Sequence, residues 1–196
     1  STTKWSWTRL SRLHSVTDDA GLVRSFEYDS ANRLTKTSDP LGNSITWGYD
    51  ARSNVVERTL TEKPGDGAAQ SFVWSYAYDG LGRQVSAEGP LGQSWAWAHD
   101  SLGNRVLTID PRGNVTHRHF DGMGRLVAVA HTMTDDGIGS GVETGSVVQT
   151  LMWDDSSRLV GRVDDNGNVT AYEYDALGRR TAVVLPDGTG RAWKYD

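Results

Sequence analysis

The chain of 196 residues has a formal net charge of −5, 22 glycines and no cysteine, and its charged residues are scattered along the whole length. The scatter leaves no basic block that could neutralise a row of phosphates, and no apolar run approaches the ~18 residues of a membrane-spanning helix. We therefore expect neither a nucleic-acid partner nor a membrane span, and the lack of cysteine excludes disulfides, thiolate zinc sites and cysteine nucleophiles.

An aromatic residue followed by Asp recurs along the chain and divides it into repeats. From Trp7, which with Thr8 forms a degenerate first copy, to Tyr195, six of the eight intervals are 21 residues long. Such a period indicates one structural unit per copy. The pairs are, in chain order, Tyr28-Asp29, Tyr49-Asp50, Tyr78-Asp79, His99-Asp100, Phe120-Asp121, Trp153-Asp154, Tyr174-Asp175 and Tyr195-Asp196.

Each pair is followed by the residues of a tight turn. Asp can accept hydrogen bonds from backbone amides just ahead of it, and Gly or Asn can adopt the positive φ that closes the turn. An Arg often comes next, and pairing with a carboxylate of a neighbouring repeat is the plain interpretation. The residues in these two positions include Asn32, Arg33, Gly82, Arg83, Gly124, Arg125, Arg158, Gly178 and Arg179.

A second turn follows in the middle of most repeats, for example at Asp39-Pro40-Leu41-Gly42-Asn43 and Asp110-Pro111-Arg112-Gly113-Asn114. Between the turns lie segments of strand length, such as 43–49, 94–99, 168–174 and 179–185. Glycine, aromatic, Thr and Val residues favour strands and tight turns. We predict an all-β protein in which each repeat is one β-hairpin.

Two intervals are longer, at 29 and 33 residues. Their excess coincides with Gly-rich stretches, which predicts inserted loops near 62–70 and 133–147, at hairpin tips. Residues 1–196 are interpreted as a single array and, because the chain starts without Met and ends on an anchor pair, as a fragment of a larger one.

The hairpins predict roughly 16 strands in one long antiparallel sheet. Open twisted sheets rarely exceed about 10 strands without curling, so we expect a curled or spiralling sheet. Aromatic residues two apart, such as Trp47 with Tyr49, predict a stripe of rings on one face. Unpaired strands at both ends predict edge-to-edge self-association.

Candidate sites compete with plainer interpretations. The repeated Asp residues could suggest acid-base chemistry, but a catalytic pair is needed once and not in every repeat, so we interpret them as turn residues. His117 and His119 share one face of a strand, as a metal site requires, yet no third ligand is placed, and we interpret them as substitutes in the ring stripe. We predict no catalytic residue, cofactor or metal.

The unit Tyr-Asp-x-x-Gly-Arg, followed by Pro-x-Gly and then Tyr-x-Tyr-Asp, resembles the YD repeat of the Rhs family. Its members include bacterial Rhs polymorphic toxins, toxin-carrying components of Tc complexes, wall-associated toxins and teneurins. The family's autoproteolytic motif, Asp-Pro-x-Gly-Leu, has no match, because Asn43 and Asn114 stand where Leu is required. Protease function is therefore not assigned to Asp39 or Asp110.

The resemblance implies a spiralling strip of sheet that forms a shell around a C-terminal toxin segment. On this interpretation the chain is no enzyme but a structural segment of a secreted or cell-surface delivered bacterial protein. Its partners would be the remaining repeats and the toxin segment of the same protein, with secretion or delivery components. The alternative is a carbohydrate or cell-surface binding module, in which exposed rings stack on glycans.

Overall fold

The computed structural model describes residues 2–65, 67–134 and 141–196. It contains 17 strands, assigned to one antiparallel sheet, and the described residues include no helix. The all-β class and the array of antiparallel hairpins are thereby confirmed, while the curl of the sheet stays a prediction. The strand count exceeds the predicted 16 because the residues that lead up to the first anchor, Trp7, form one more short strand.

The chain divides into two compact units, Ser1–Ser94 and Trp95–Asp196. That the whole chain is one domain stays a prediction. The strands of the first unit are β1 (Lys4–Trp7), β2 (Leu13–Thr17), β3 (Val23–Tyr28), β4 (Leu34–Ser38), β5 (Ser44–Tyr49), β6 (Val55–Glu62), β7 (Gln70–Tyr78) and β8 (Gln84–Glu88). Each of these pairs antiparallel with the next.

The second unit repeats this arrangement. Its strands are β9 (Ser94–His99, with Ser94 at the boundary), β10 (Arg105–Ile109), β11 (Val115–Phe120), β12 (Leu126–Thr134), β13 (Glu143–Trp153), β14 (Leu159–Val163), β15 (Val169–Tyr174), β16 (Arg180–Val184) and β17 (Gly190–Ala192). Again each strand pairs antiparallel with its successor.

Two kinds of hairpin alternate along the chain. In the hairpins that turn at an aromatic-Asp pair, the aromatic residue lies beside a one-residue bulge. Tyr28 pairs with Leu34 while Glu27 pairs with Lys36, so Thr35 is the extra residue. Hairpins between them, such as β4 with β5, keep a continuous register, except that β12 with β13 has a register shift between Met133 and Thr134. A bulge increases local twist, so every second turn twists the sheet at the aromatic anchor.

The prediction of a loop over residues 133–147 was too wide. β12 continues to Thr134 and β13 begins at Glu143, where the two pair in the ladder. Residues 135–140 lie outside the described part of the chain. Near 62–70, Glu62 pairs with Gln70 at the strand ends, and residue 66 is not described. Much of each longer interval therefore lengthens strands, because the added residues continue the backbone pairing.

The register separates each unit into two chemically different faces, since residues opposite each other across a ladder share a face. In the first unit the face that carries the anchor rings, the anchor face, includes Trp5, Trp7, Arg24, Phe26, Tyr28, Ile45, Trp47, Tyr49, Arg58, Leu60, Phe72, Trp74, Tyr76 and Tyr78. The opposite, back face is mostly Ser, Thr, Glu and Lys, for example Ser25, Lys36, Thr46 and Glu57.

No described hydrophobic side chain is fully buried. The anchor rings are half-buried by their neighbours on the same face. The packing that holds the sheet is therefore lateral, from strand to strand, and the details of the anchor turns decide how one repeat is held to the next.

The interpretation of His117 and His119 as members of the ring stripe was wrong. Along β11 the anchor ring is Phe120, and side chains alternate between faces. Phe120 therefore shares its face with Arg118, while both histidines are exposed on the back face, paired across the ladder with Ala130 and Ala128. The two histidines occupy the alternate positions of β11, on the face opposite the rings.

Candidate functional site

The anchor turn spans five residues from its Asp to its Arg or Asn. Both the backbone and the carboxylate of the Asp form hydrogen bonds that close the turn. The Asp29 amide donates to the Arg33 carbonyl at 3.0 Å, and the Asn32 amide donates to the Asp29 carbonyl at 3.1 Å. The Asp29 carboxylate then accepts the Arg33 amide through Oδ1 at 2.9 Å. The three residues between Asp29 and Arg33 end in the left-handed Asn32, as in a common three-residue hairpin loop.

The fourth turn position needs a positive φ. Asn32 has φ 70°, and Gly82, Gly124 and Gly178 have φ between 75° and 79°. Gly adopts this conformation without steric cost, and Asn tolerates it better than other side chains. The recurrence of Gly or Asn four residues after the aromatic residue therefore has a backbone cause.

The prediction that the Arg in the fifth position pairs with a carboxylate of a neighbouring repeat was wrong, because this Arg binds the carboxylate of its own turn. The Nε group of Arg33 donates to Asp29 Oδ2 at 2.7 Å. Equivalent ion pairs, each at 2.7 Å, join Arg83 to Asp79, Arg125 to Asp121, Arg158 to Asp154 and Arg179 to Asp175.

The same Arg also contacts the next repeat, and we call this set of contacts the arginine clamp. The Nη1 group of Arg33 donates to the carbonyl of Asp50 at 3.0 Å, and its guanidinium lies 4.6 Å from the centre of the Tyr49 ring. A cation over a ring face adds electrostatic attraction. Corresponding contacts are made by Arg12, Arg125, Arg158 and Arg179.

The clamped ring is fixed by its own polar group. Tyr49 Oη donates to the carbonyl of Leu34 at 2.7 Å. Trp153 performs the same role through Nε1, which donates to Leu126 at 2.8 Å. Further equivalents are the hydroxyls of Tyr78, Tyr174 and Tyr195. The ring hydroxyl or indole and the clamp arginine thus join consecutive repeats, because each donates from a side chain to a backbone carbonyl.

Two anchor turns close with Asn in place of Arg. Asn54 and Asn104 each donate through Nδ2 to Oδ2 of their Asp at 2.8 Å. Asn keeps the turn but is too short to reach the next repeat. After Asn54, Arg52 contacts the carbonyl of Gly80 instead. After Asn104, no arginine stands in the fifth turn position to reach Asp121.

Three anchor positions depart from the pattern. Thr8 stands where the other repeats have Asp, and the Nε group of Arg12 is consequently buried without a partner. His99 occupies a ring position with its Nδ1 buried and without a hydrogen-bond partner. Phe120 has no polar group with which to bond a carbonyl.

The mid-repeat turns use the same five-residue geometry. Asp39, Asp110 and Asp164 each accept the backbone amide and the side-chain Nδ2 of the Asn four residues later. Sequence reasoning treated the two turns as different and did not identify the turn at Asp18, whose carboxylate accepts the Leu22 amide. The shared spacing of Asp and the fourth residue could have revealed it.

The turn contacts keep the anchor carboxylates ionised. The pKa of Asp121 lies below its ordinary value of 3.8, chiefly because the Arg125 amide donates to the carboxylate. At Asp50 and Asp100 the leading cause of the lowered pKa is the side-chain hydrogen bond from Asn54 or Asn104. A carboxylate held this way is a poor general acid, and its oxygens are already engaged.

Comparison with known proteins identifies the repeat. The pattern described as RHS Repeat matches residues 7–44, 31–64, 78–115 and 153–189, which is more than half of the chain. The chain belongs to the RHS repeat family. The resemblance predicted from the Tyr-Asp-x-x-Gly-Arg unit is thereby confirmed. In this chain the Asp and the Arg of that motif form the turn ion pair and the arginine clamp.

An RHS-repeat relative with a known description is Toxin protein Tse5 of Pseudomonas aeruginosa, 31% identical over 192 residues. The match covers 95% of this chain but only 13% of the relative. The chain thus spans a small part of the length of the curated protein it matches.

Solved structures with similar strand arrangements include a TcdB2-TccC3-Cdc42 complex, at 10% identity and a TM-score of 0.36, and a Tc holotoxin pore from Photorhabdus luminescens, at 11% and 0.35. Each match covers 97% of this chain and 15% or 14% of the other. At these TM-scores the likeness carries no inference.

The described part of the RHS repeats contains no cluster of three or more His, Asp or Glu side chains able to hold a metal ion. None of the described segments is a helix long and apolar enough to cross a membrane.

Proposed function

We propose that these RHS repeats are wall material of a toxin-associated shell that sequesters an effector segment of the same protein until delivery. The observation that carries the proposal is the arginine clamp, in which the Arg of one anchor turn holds the ring and the Asp carbonyl of the next anchor in five of the repeats. The match covers only 13% of a toxin protein, and this supports a role as one segment of a larger molecule.

The mechanism would be steric. Each anchor carboxylate is bound by backbone amides and by Arg or Asn, so these residues support a structural role and not a catalytic one. The chain would contribute no chemistry to the effector. Its partners would be the flanking repeats, the effector segment and delivery components, and its destination would be outside the producing cell.

Glycan binding by the ring stripe is less well supported. A sugar must stack on an open ring face, but guanidinium groups occupy these faces. Arg58 lies 4.7 Å from the Trp74 ring centre, Arg105 lies 5.0 Å from Trp97, and Arg180 lies 4.5 Å from Tyr172. We expect a flat tryptophan-fluorescence response across a glycan panel, and saturable quenching would revive this alternative.

The proposal is tested by limited proteolysis of the full-length parent protein. We expect the segment C-terminal to the repeats to resist protease until the repeats are opened. Replacing Arg33 and Arg158 with Ala should expose that segment, because both clamps are lost, whereas Arg112→Ala, at an exposed turn, should not. Equal digestion of the segment in wild type and clamp variant, at the rate of the segment expressed alone, would overturn the proposal.

A further inference from the structure

The arginines of the second unit's strands are confined to the anchor face. Residues that pair across a ladder share a face. Arg105 pairs with His99, Arg162 with Leu151 and Arg180 with Tyr174. Alternation along β11 adds Arg118, and pairing with Val183 adds Arg191. All five share the face of the anchor rings, and four of them are exposed.

These arginines lack acidic partners. Arg118 donates to Thr108 Oγ1 at 2.9 Å, Arg162 lies 2.8 Å from the side-chain amide of Gln149, and Arg105 and Arg180 lie over rings. Within the described residues, none of the five is within ion-pair distance of a carboxylate. None of them therefore forms an ion pair, although Arg162 lies near enough to Asp164 to help lower the pKa of that carboxyl.

Acidic residues of this unit lie elsewhere. Strands β9 to β12 contain none, and in β14 to β17 the one acidic residue, Glu173, lies on the back face opposite Ala182. The remaining acidic side chains are mostly in turns, where the anchor carboxylates are already bound. Although the whole chain carries −5, one face is thus locally cationic.

The same face is rich in apolar and aromatic groups. Trp97, Phe120, Trp153 and Tyr172 lie between the arginines, together with Leu151. Single cations separated by rings fit a ligand that alternates apolar and anionic groups. They fit a polyphosphate poorly, since phosphate contacts require a dense row of cations and the protein's net charge is negative.

We propose that the anchor face of the second unit binds an acidic, apolar polypeptide segment, with its carboxylates on Arg118, Arg162 and Arg191 and its apolar side chains on Phe120 and Leu151, between the rings that guanidinium groups cover. A carboxylate and a guanidinium form charge-assisted hydrogen bonds, and Phe120 and Leu151 remove apolar side chains from water. The inference rests on the proposed function only in naming the enclosed segment as the natural occupant.

The test uses the chain of 196 residues as it is. It is titrated with a capped peptide of alternating Glu and Leu, about 12 residues and roughly 40 Å when extended, which is long enough to cross several strands. The control peptide has Lys in place of Glu. Tryptophan fluorescence reports binding, which we expect to be saturable for the Glu peptide, weaker in high salt and absent for the Lys peptide.

Arg162→Gln should weaken binding of the Glu peptide by roughly fivefold, as the loss of one charge-assisted bond predicts. Arg112→Gln removes the same charge at an exposed turn and should leave the affinity unchanged. Both variants should keep the wild-type circular dichroism and Tm, since the Gln149 contact can be remade with Gln.

No saturable binding, equal affinity for the Lys peptide, an equal effect of Arg112→Gln, or tighter binding of a single-stranded oligonucleotide would each overturn the inference. Failure here leaves the proteolysis result on the full-length protein untouched, so the two proposals fail separately.

Discussion

Asp154 and Asp155 are adjacent in sequence but have different environments. Substituting each in turn distinguishes the structural role of an anchor Asp from the effect of losing an exposed carboxylate. Asp154 accepts the amides of Ser156 and Arg158 and the Arg158 Nε group. Asp155 is exposed in the turn. We expect Asp154→Ala to lower the Tm by a few degrees, because a turn closure and a clamp are lost together. Asp155→Ala should leave it within about one degree in the same calorimetric scan, and equal effects would contradict the assignment.

The lowered pKa values predict acid lability. For Asp29, Asp79, Asp121 and Asp154 the folded-state pKa lies below the ordinary value of 3.8, first because of the backbone hydrogen bond from the following Arg. A depressed folded pKa contributes stability that is complete above the unfolded value and is lost as the pH falls through the folded one. We expect a Tm that is flat above about pH 5 and falls steeply below about pH 4. A Tm that is unchanged down to pH 3 would contradict the clamp.

At the scale of single residues, most features of the anchor turn could be predicted from sequence. Repetition identified the Asp, the left-handed Gly and the Arg, because each has a local backbone reason. The reach of Arg33 to the carbonyl of Asp50 was not predicted, since it depends on which strands pair and in what register. The separation of 17 residues, seen again between Arg12 and Asp29 and between Arg158 and Asp175, is the signal that could have revealed it.

Among the elements, the junction from β10 to β11 lacks the contacts that its counterparts have. Asn104 replaces the clamp arginine and Phe120 has no group to bond a backbone carbonyl, whereas Arg158 and Tyr174 make both contacts at β15. Local opening follows the weakest set of contacts. We expect the amides of β11 to exchange with deuterium faster than those of β15, and equal protection would contradict a role for the clamp.

The same junction can be repaired. Asn104→Arg would supply the clamp arginine. Phe120→Tyr would supply a hydroxyl that can donate to a backbone carbonyl of the preceding strand, as Tyr49 and Tyr174 do. Each added contact is worth about 1 kcal/mol, so the Tm should rise by a few degrees. Leu102→Arg adds the same charge at an exposed turn residue and serves as the control. A double variant no more stable than the control would show that the clamp does not stabilise the repeat interface.

The positions of strands were predictable where turns punctuate them, as at β5 and β9. The ends of β12 and β13 were not, because a Gly-rich stretch indicated a loop while backbone pairing continued to Thr134 and Glu143. The anchor bulges also escaped prediction, since a bulge changes the pairing without changing the composition.

For the whole molecule, the two terminal strands predict self-association. In the described pairing β1 bonds only to β2 and β17 only to β16. Trp5 and Trp7 on β1 are 58% and 61% exposed, far more than the half-buried anchor rings of later repeats. An unpaired strand with exposed rings is a template for another strand. Light scattering should show assembly that grows with protein concentration and is suppressed by Trp5→Lys. A strict monomer at high concentration would contradict an open edge.

The central claim is that the repeats enclose another segment of their own protein, and electron cryomicroscopy of the full-length protein tests it most directly. The account predicts a closed wall of sheet around an internal volume that contains density for the effector segment, with the anchor face of residues such as Trp153 and Arg162 turned toward it. An open sheet with the effector segment folded outside it would contradict the account.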